Sequence, residues 1–338
     1  MVSALLKDPS YIEFLRTSQP DLRICELDTG ITIYDHRADL AEALFDPAKR
    51  MMAQALQKIW PGLLTPKTVF FGLPFEPYIQ DQLLSKMPSP SMLPSLARWR
   101  NADLIALTNI SSRSSGGERL RELGFFALPS FPETVIDNPP SDFSTFIGGM
   151  DKKMRQSIRR NLRLFANKGH RIKEREGAEF FSDIHKAYRY ALKKARFKWI
   201  SYEKAYFAHL DHLGPKSLSL IATTENHQFL GFTNLLFDDD NAHICRLVVN
   251  ENYSLQDSIF FCLLYKGIEH ACQRRAKRIF LGPTAYRFKR RLGASLIFTQ
   301  NYFIPISSVF QLIFKTTYKT MQKELNYLRS IEILEKYY

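Results

Sequence analysis

Residues 278–293 read RIFLGPTAYRFKRRLG, and this stretch points most directly to the fold. Its start, Arg278 to Leu281, predicts a short strand that ends at Gly282-Pro283. Residues 286–292 follow as a short helix that carries one lysine and three arginines. Such a cluster of guanidinium and ammonium groups after a strand favours an anionic ligand, and arginine can hold phosphate through two parallel hydrogen bonds.

A second basic stretch, residues 152–165, reads KKMRQSIRRNLRLF and predicts a helix over about 151–167. Apolar side chains recur along it at helical spacing and form one stripe: Met154, Ile158, Leu162 and Phe165. A neighbouring stripe is basic: Arg155, Arg159 and Arg163. We therefore expect one face of this helix to pack and the adjacent face to be exposed.

The positive charge of the chain is concentrated in these two regions. The 338 residues have a net charge of +13, and 45% of them are apolar, which excludes global disorder. Residues 151–175 contain ten Lys or Arg and two acids, and residues 274–291 contain eight and none. Concentrated charge predicts an anionic partner, namely a cofactor phosphate, a nucleic acid or a lipid headgroup. A solvated basic face is the plain alternative.

Cysteine usage and the first residues indicate the compartment. The four cysteines form no C-x-x-C pair and no zinc-like spacing with histidine, so we expect buried thiols, no metal site and a reducing environment. Asp8 and Glu13 interrupt the start of the chain, and no signal peptide is expected. Residues 295–314 are apolar but contain polar residues and a proline, which favours a strand and a helix over a membrane span. We expect a cytoplasmic protein, either free or peripheral at the inner face of a membrane.

The clearest break in the chain is the linker Asn138-Pro139-Pro140-Ser141. It divides the sequence into residues 1–140, residues 141–305 and a helical tail at 306–338. Both large parts alternate strand and helix patterns, which indicates an α/β (α+β) fold. Extended segments are predicted in them at 125–136, 217–224, 229–237, 242–249 and 294–303.

The second part resembles the GNAT (N-acetyltransferase-like) superfamily, because its predicted order is β-α-α-β-β-β-α-β-α-β. Three sequence motifs are similar to those of the FemAB-like branch, which includes peptidoglycan-biosynthesis/recognition and cellulose-biosynthesis-type proteins. They are LRELGF at 120–125, KMRQSIRR at 153–160 and KRRLG at 289–293. The resemblance implies tandem lobes, each a mixed and mostly antiparallel sheet flanked by helices, with a degenerate first lobe and an acyltransferase second lobe.

The resemblance implies a donor and its binding segment. Acyl-coenzyme A would donate the acyl group, and its pyrophosphate would lie over the turn before the helix predicted at 255–274. The residues concerned are Tyr253, Ser254, Leu255, Gln256 and Asp257. The sequence departs from the usual glycine-rich loop here, because residues 250–257 contain no glycine to let the backbone approach a phosphate. An aminoacyl-tRNA donor therefore stays open.

The resemblance also implies catalytic groups. The acyl carbonyl would sit against backbone N–H groups of Leu247, Val248 and Val249, as in an oxyanion hole. His243 would be the base, with Asp239 and Asp240 as alternatives.

The leaving group would be handled by residues after the strand at 278–281. Tyr286 would protonate it, and Lys289 would neutralise a phosphate beside it. Both side chains are expected to be partly exposed.

Partners follow from the same resemblance. The acceptor would be a small-molecule or lipid-linked amine. Anions would bind Arg287 and Arg290 on one segment and Arg155, Arg159 and Arg163 on the other. The basic helix would face a membrane surface or tRNA. A catalytically silent binding module is the non-enzymatic alternative.

Overall fold

A computed structural model describes most of the chain. The described residues are 9–19, 23–27, 31–37, 47–59, 65–72, 84, 92–194, 201–238, 240–253 and 257–334. Two mostly antiparallel sheets flanked by helices form a mixed α/β fold, as the sequence predicts.

The first sheet is built mainly from the first part of the chain. Its strands are β1 (Arg23–Glu26), β2 (Thr32–Arg37), β3 (Lys67–Phe71), β4 (Leu104–Ser111), β5 (Phe126–Pro129) and β13 (Thr299–Pro305). They lie in the order β1-β2-β3-β4-β13-β5, and only β3 and β4 pair in parallel.

The second sheet has the remaining strands. They are β6 (Glu133–Asp137), β7 (Arg171–Glu174), β8 (Ser217–Thr223), β9 (Phe229–Phe237), β10 (Asn241–Val249), β11 (Arg278–Phe280) and β12 (Ser295–Ile297). Their order is β12-β6-β11-β10-β9-β8-β7. The antiparallel run β8-β9-β10 confirms the three consecutive strands that were predicted.

Helices cover both sheets. They are α1 (Pro9–Ser18), α2 (Pro47–Ile59), α3 (Leu93–Arg100), α4 (Gly116–Glu122), α5 (Phe143–Gly148), α6 (Lys152–Asn167), α7 (Phe181–Lys194), α8 (Lys204–His209), α9 (Ile259–Gln273), α10 (Tyr286–Arg291) and α11 (Ser308–Leu334). A 3₁₀ segment at Leu210–Lys216 connects α8 to β8. None of the described helices is long and apolar enough to cross a bilayer.

The chain passes between the sheets twice, and this corrects two predictions. Residues 125–136 were expected to form one extended segment, but they divide into β5 in the first sheet and β6 in the second. Pro132 stands between them and has no N–H to donate to a sheet. Residues 294–303 divide in the same way, into β12 and β13 around Phe298.

These crossings bear on the division into residues 1–140, 141–305 and 306–338, which stays a prediction. β6 precedes the boundary at 140 but pairs with β11 and β12, whereas β13 belongs to the later part but pairs with β4 and β5. One apolar cluster also contains residues of both sheets, among them Phe70 and Phe232. The two parts of the chain thus exchange strands, and the two sheets share a core.

The C-terminal helix packs against this shared core. Phe310 and Phe314 of α11 are buried, and the hydroxyl of Tyr318 donates to the backbone oxygen of Ala127, 2.9 Å away. The apolar face of the tail is therefore largely covered by the protein, although Leu312 stays 64% exposed.

Gly231 of β9 lets α9 lie close to the sheet. A Cβ at this position would be 2.9 Å from the Val248 oxygen and 3.0 Å from side-chain carbons of Ile259 and Leu263. We expect Gly231→Ala to lower the free energy of unfolding by about 1–3 kcal/mol, because the added carbon overfills a packed interface. Urea unfolding measures this effect. Gly148→Ala serves as the control, because a Cβ at position 148 would have no heavy atom within 4 Å. Equal stability of the Gly231→Ala variant and the wild type would contradict the close packing.

Candidate active site

The central feature of the site is the point at which two parallel strands part. β10 and β11 pair only over Asn241–His243 and Arg278–Phe280. Beyond this, the register of β10 against β9 shifts between Cys245 and Val248, where β10 has one residue more. Such a bulge bends the strand that carries it. β10 thus parts from β11, and the space beside the unpaired edge of β10 is here called the cleft.

Residues after the bulge line one side of the cleft. Val248 and Val249 still pair with β9, opposite Phe232 and Gly231. Because successive N–H groups of a strand point to alternate edges, part of the backbone of Leu247 to Val249 faces the gap left by β11. Leu247 and Val249 are half-buried, and Val248 is buried. This geometry fits the predicted carbonyl site.

The predicted phosphate turn is less suited to an anion. Ser254, Leu255 and Gln256 lie outside the described residues. The Asp257 carboxylate is in contact with the Lys168 ammonium just before α9 begins. Tyr253 is half-buried beside the α9 core. A carboxylate at this helix start opposes the favourable interaction of the helix dipole with a phosphate.

Aromatic side chains connect α9 to α10 on the same side of the second sheet. The rings of Phe261 and Phe288 lie 4.9 Å apart in an edge-on arrangement, and Phe260 contacts Phe261 at 5.6 Å. All three are half-buried and pack on the second core cluster. The region between the two helices is therefore apolar.

Lys289 is buried rather than partly exposed, which corrects the prediction. Its side chain is 5% exposed, and its ammonium donates to the backbone oxygens of Leu281, Gly282 and Pro283 at 2.7, 2.9 and 3.1 Å. These contacts hold the loop between β11 and α10. They favour a positioning role over phosphate neutralisation.

Glu133 of β6 was not foreseen from the sequence, although it lies beside this lysine. It is 2% exposed and accepts a 3.0 Å hydrogen bond from the backbone N–H of Thr134. Burial raises the pKa of the carboxyl to about 8, while the Lys289 ammonium and the N–H groups of Thr134 and Gly282 act in the opposite direction. The lone glutamate at the start of a strand carried no motif that could have identified it.

Tyr286 is also fully buried, contrary to the prediction of partial exposure. Its hydroxyl donates to the backbone oxygen of Pro132, 3.0 Å away, in the segment between the two sheets. This contact ties α10 to β6. The role of Tyr286 as a proton donor to a leaving group stays a prediction.

His243 is buried at the paired end of β10, before the strands part. Its Nε2 lies 3.2 Å from a carboxylate oxygen of Asp238, and its ring stacks on Phe280 at 4.6 Å. These contacts favour a structural role. Of the alternatives, Asp240 pairs with Lys277 at 2.9 Å, and Asp239 lies outside the described residues.

The basic helix α6 is formed as predicted, with Met154, Ile158 and Phe165 buried. Leu162 is 39% exposed, so its assignment to the packed stripe was wrong. Arg155 is half-buried and donates to the backbone oxygens of Gly148 and Met150, which ties α6 to the end of α5. The exposed arginines of α6 and α10 are Arg159, Arg160, Arg163, Arg287, Arg290 and Arg291.

Comparison with known proteins agrees with this architecture. Residues 152–290 match the family model described as acetyltransferase (GNAT) domain. This part of the chain is a GNAT domain. No curated protein matches the sequence. The resemblance of this part of the chain to the GNAT superfamily is thus confirmed.

Solved structures share the fold over nearly the whole chain. L-PGS from Bacillus licheniformis has a TM-score of 0.56 at 12% identity, over 94% of this chain and 98% of that one. The C-terminal domain of a putative lysylphosphatidylglycerol synthetase from Agrobacterium fabrum has 0.54 at 12%, over 93% of each chain. FemX has 0.53 at 11%, over 91% and 94%.

Asn161 of the GNAT domain is another residue that the sequence did not single out. Its amide donates to the Tyr265 hydroxyl at 3.2 Å, and its oxygen accepts from the Ser258 hydroxyl at 3.3 Å. It thereby joins α6 to the beginning of α9. No sequence pattern distinguishes a half-buried, hydrogen-bonded asparagine in a basic helix from a solvated one.

The contacts of Lys289 lead to a stability prediction. Lys289→Met removes a buried ammonium and leaves three carbonyl oxygens and Glu133 without it. We expect the free energy of unfolding to fall by about 3–5 kcal/mol, the scale for breaking a buried pair from one side. Chemical denaturation measures the change. Lys266→Met is the matched control, because Lys266 is 37% exposed and pairs with Glu269 on the surface of α9. A loss in the Lys289 variant no larger than in this control would contradict the positioning role.

Proposed function

We propose that this protein transfers an acyl group directly from an activated ester or thioester to an amine. The observation that carries this proposal is the parting of β10 and β11 beside the bulge. It leaves backbone N–H groups of Leu247 to Val249 at the edge of a cleft inside a GNAT domain. Such groups stabilise negative charge on a carbonyl oxygen during attack.

The reaction in this cleft is a balanced displacement. The amine nitrogen bonds to the acyl carbon, and the carbonyl oxygen takes up negative charge against the backbone of β10. The bond between the acyl carbon and the donor sulfur or oxygen then breaks. The leaving group departs with a proton that originates from the amine. The chain supplies position and electrostatic stabilisation for these steps.

Acyl-coenzyme A is the first proposed donor. The apolar region of Phe260, Phe261 and Phe288 between α9 and α10 suits a thioester arm or an acyl chain. The exposed Arg287 and Arg290 beside it can neutralise phosphates.

A thermal-shift titration with free coenzyme A and with acyl-coenzyme A of several chain lengths tests this donor. We expect stabilisation of about 2.7 kcal/mol at a hundredfold excess over Kd, because binding to the folded state alone shifts the unfolding equilibrium. Dephospho-coenzyme A, which lacks the 3′-phosphate, serves as the control for the phosphate contacts. Absence of a shift with every thioester would reject coenzyme A as the donor.

Aminoacyl-tRNA is the second proposed donor, and Asp257 favours it. A carboxylate at the start of α9 disfavours a pyrophosphate there, whereas the exposed Arg159 and Arg163 on α6 suit a nucleic-acid backbone. The fold shared with FemX and with a putative lysylphosphatidylglycerol synthetase is compatible with this donor and with a lipid-linked acceptor.

Salt dependence distinguishes tRNA binding at α6 from a solvated basic face. We expect Arg159→Gln combined with Arg163→Gln to weaken tRNA binding and to reduce the slope of log K against log salt by about one to two, roughly one per lost phosphate contact. Arg119→Gln combined with Arg121→Gln removes two exposed charges from α4 in the first part of the chain and is the control. If both double variants give the same slope of log K against log salt, α6 is not part of the tRNA interface. If neither thioesters nor aminoacyl-tRNA bind, the protein is better described as a catalytically silent binding module.

A further inference from the structure

The helix α2 presents an apolar face to solvent. Met51 and Met52 are 71% and 73% exposed, Leu56 is 44% exposed, and Ala55 is exposed beside them. Because these residues stand at positions i, i+1, i+4 and i+5, they share one face of the helix. We call the surface made by Met51, Met52, Ala55 and Leu56 the α2 face. Such a face normally turns toward a core, since apolar surface is costly to leave in water.

The orientation of α2 is the reverse of an ordinary surface helix. Gln57, on the opposite side of the helix, is half-buried, whereas the α2 face is exposed. None of the described side chains of α2 belongs to any of the three apolar clusters. The helix stands between β2 and β3, which are neighbouring strands of the first sheet. Within the part of the chain that the structure describes, the α2 face is therefore available to a partner.

The charge of α2 favours an anionic partner. Its 13 residues contain Lys49, Arg50 and Lys58 and no acidic residue. Lys49 stands seven residues before Leu56, and Lys58 stands seven residues after Met51, which is about two helical turns in each case. The two lysines therefore border the α2 face on its two sides. An apolar face bordered by lysines suits the interface of a bilayer, where lysine stems extend from the acyl region to the lipid phosphates.

The composition of α2 favours a lipid surface over other anionic partners. A nucleic-acid backbone would engage the charges but would leave the two methionines in water. A protein interface depends on a few large anchors such as Trp or Tyr, and α2 contains neither. Flexible methionine side chains can instead adapt to fluid acyl chains. Since α2 is too short to cross a bilayer, it would lie in the plane of the membrane surface.

We propose that α2 docks the protein on an anionic membrane surface, with the α2 face among the lipids and Lys49 and Lys58 at the level of the phosphates. This contact is independent of the proposed acyl transfer, because α2 lies outside the GNAT domain at residues 152–290. It also differs from a contact through the basic helix α6. That helix exposes one large apolar side chain, Leu162, and no comparable apolar face.

Co-sedimentation of the full chain with lipid vesicles tests the proposal. The vesicles contain phosphatidylcholine alone or equal parts of phosphatidylcholine and phosphatidylglycerol. We expect binding to the anionic vesicles to be at least about tenfold tighter, because each basic residue near such a surface contributes a factor of about five. Equal binding to both kinds of vesicle, or no binding to the anionic vesicles, would overturn the proposal.

A variant that keeps every charge assigns the contact to the α2 face. Met51→Gln combined with Met52→Gln and Leu56→Gln should weaken binding to the anionic vesicles at least about tenfold, because three apolar side chains are lost from the acyl region while helix propensity is kept. Val309→Gln combined with Leu312→Gln is the matched control, because these side chains of α11 are 46% and 64% exposed. Unchanged binding by the α2 variant, or an equal loss in the control variant, would contradict the role of α2.

The same α2 variant tests the other possible occupants of the α2 face. If this chain covers the face, the variant melts at a lower temperature than the wild type. If a second copy covers it, a wild-type dimer becomes a monomer in the variant. Thermal melting and light scattering after size exclusion, both without vesicles, measure these effects, and either result would overturn the membrane proposal. We expect the variant to keep the melting temperature and the oligomeric state of the wild type.

Discussion

The burial of one ammonium ion constrains the region where the two sheets meet. Lys289 must satisfy three N–H donors away from water, and it does so with three consecutive backbone oxygens after β11. This fixes the β11–α10 loop, while Tyr286 of the same short helix binds the Pro132 oxygen next to β6. The end of β11 is thereby held toward β6, on the side away from β10.

The bulge of β10 and the β11–α10 loop border the cleft on opposite sides. On the β10 side, the extra residue between Cys245 and Val248 follows the last pair with β11, and Arg246 in this bulge lies over the ring of Tyr202. On the other side, the carboxylate of Glu133 lies beside Lys289, and burial raises its pKa. Because β6 and β13 each join a sheet built mainly from the other part of the chain, the cleft is supported by both sheets rather than by the GNAT domain alone.

Prediction from the sequence succeeded for elements whose residue pattern is compatible with only one kind of secondary structure. Hydrophobic periodicity located α6, and alternating apolar runs separated by polar turns located β8, β9 and β10. It was less successful for side chains whose environment is assembled from distant segments. Lys289 and Tyr286 were predicted to be partly exposed, and this was wrong. The Tyr286 hydroxyl donates to the Pro132 oxygen, which is 154 residues away in sequence, and Lys289 is buried beside Glu133 of β6. Arg246, Glu133 and Asn161 carried no local signal at all.

The sequence by itself determined the α/β class, the order of elements in the GNAT domain and the concentration of positive charge in two segments. These properties depend on neighbours along the chain. The tertiary structure alone decided that residues 125–136 and 294–303 pass from one sheet to the other, that the Lys289 ammonium is buried, and that Arg246 lies over the rings of Tyr202 and Tyr206. The physical reason is that strand pairing, burial of charge and ring contacts join residues far apart in sequence, and no local pattern encodes which partners will meet.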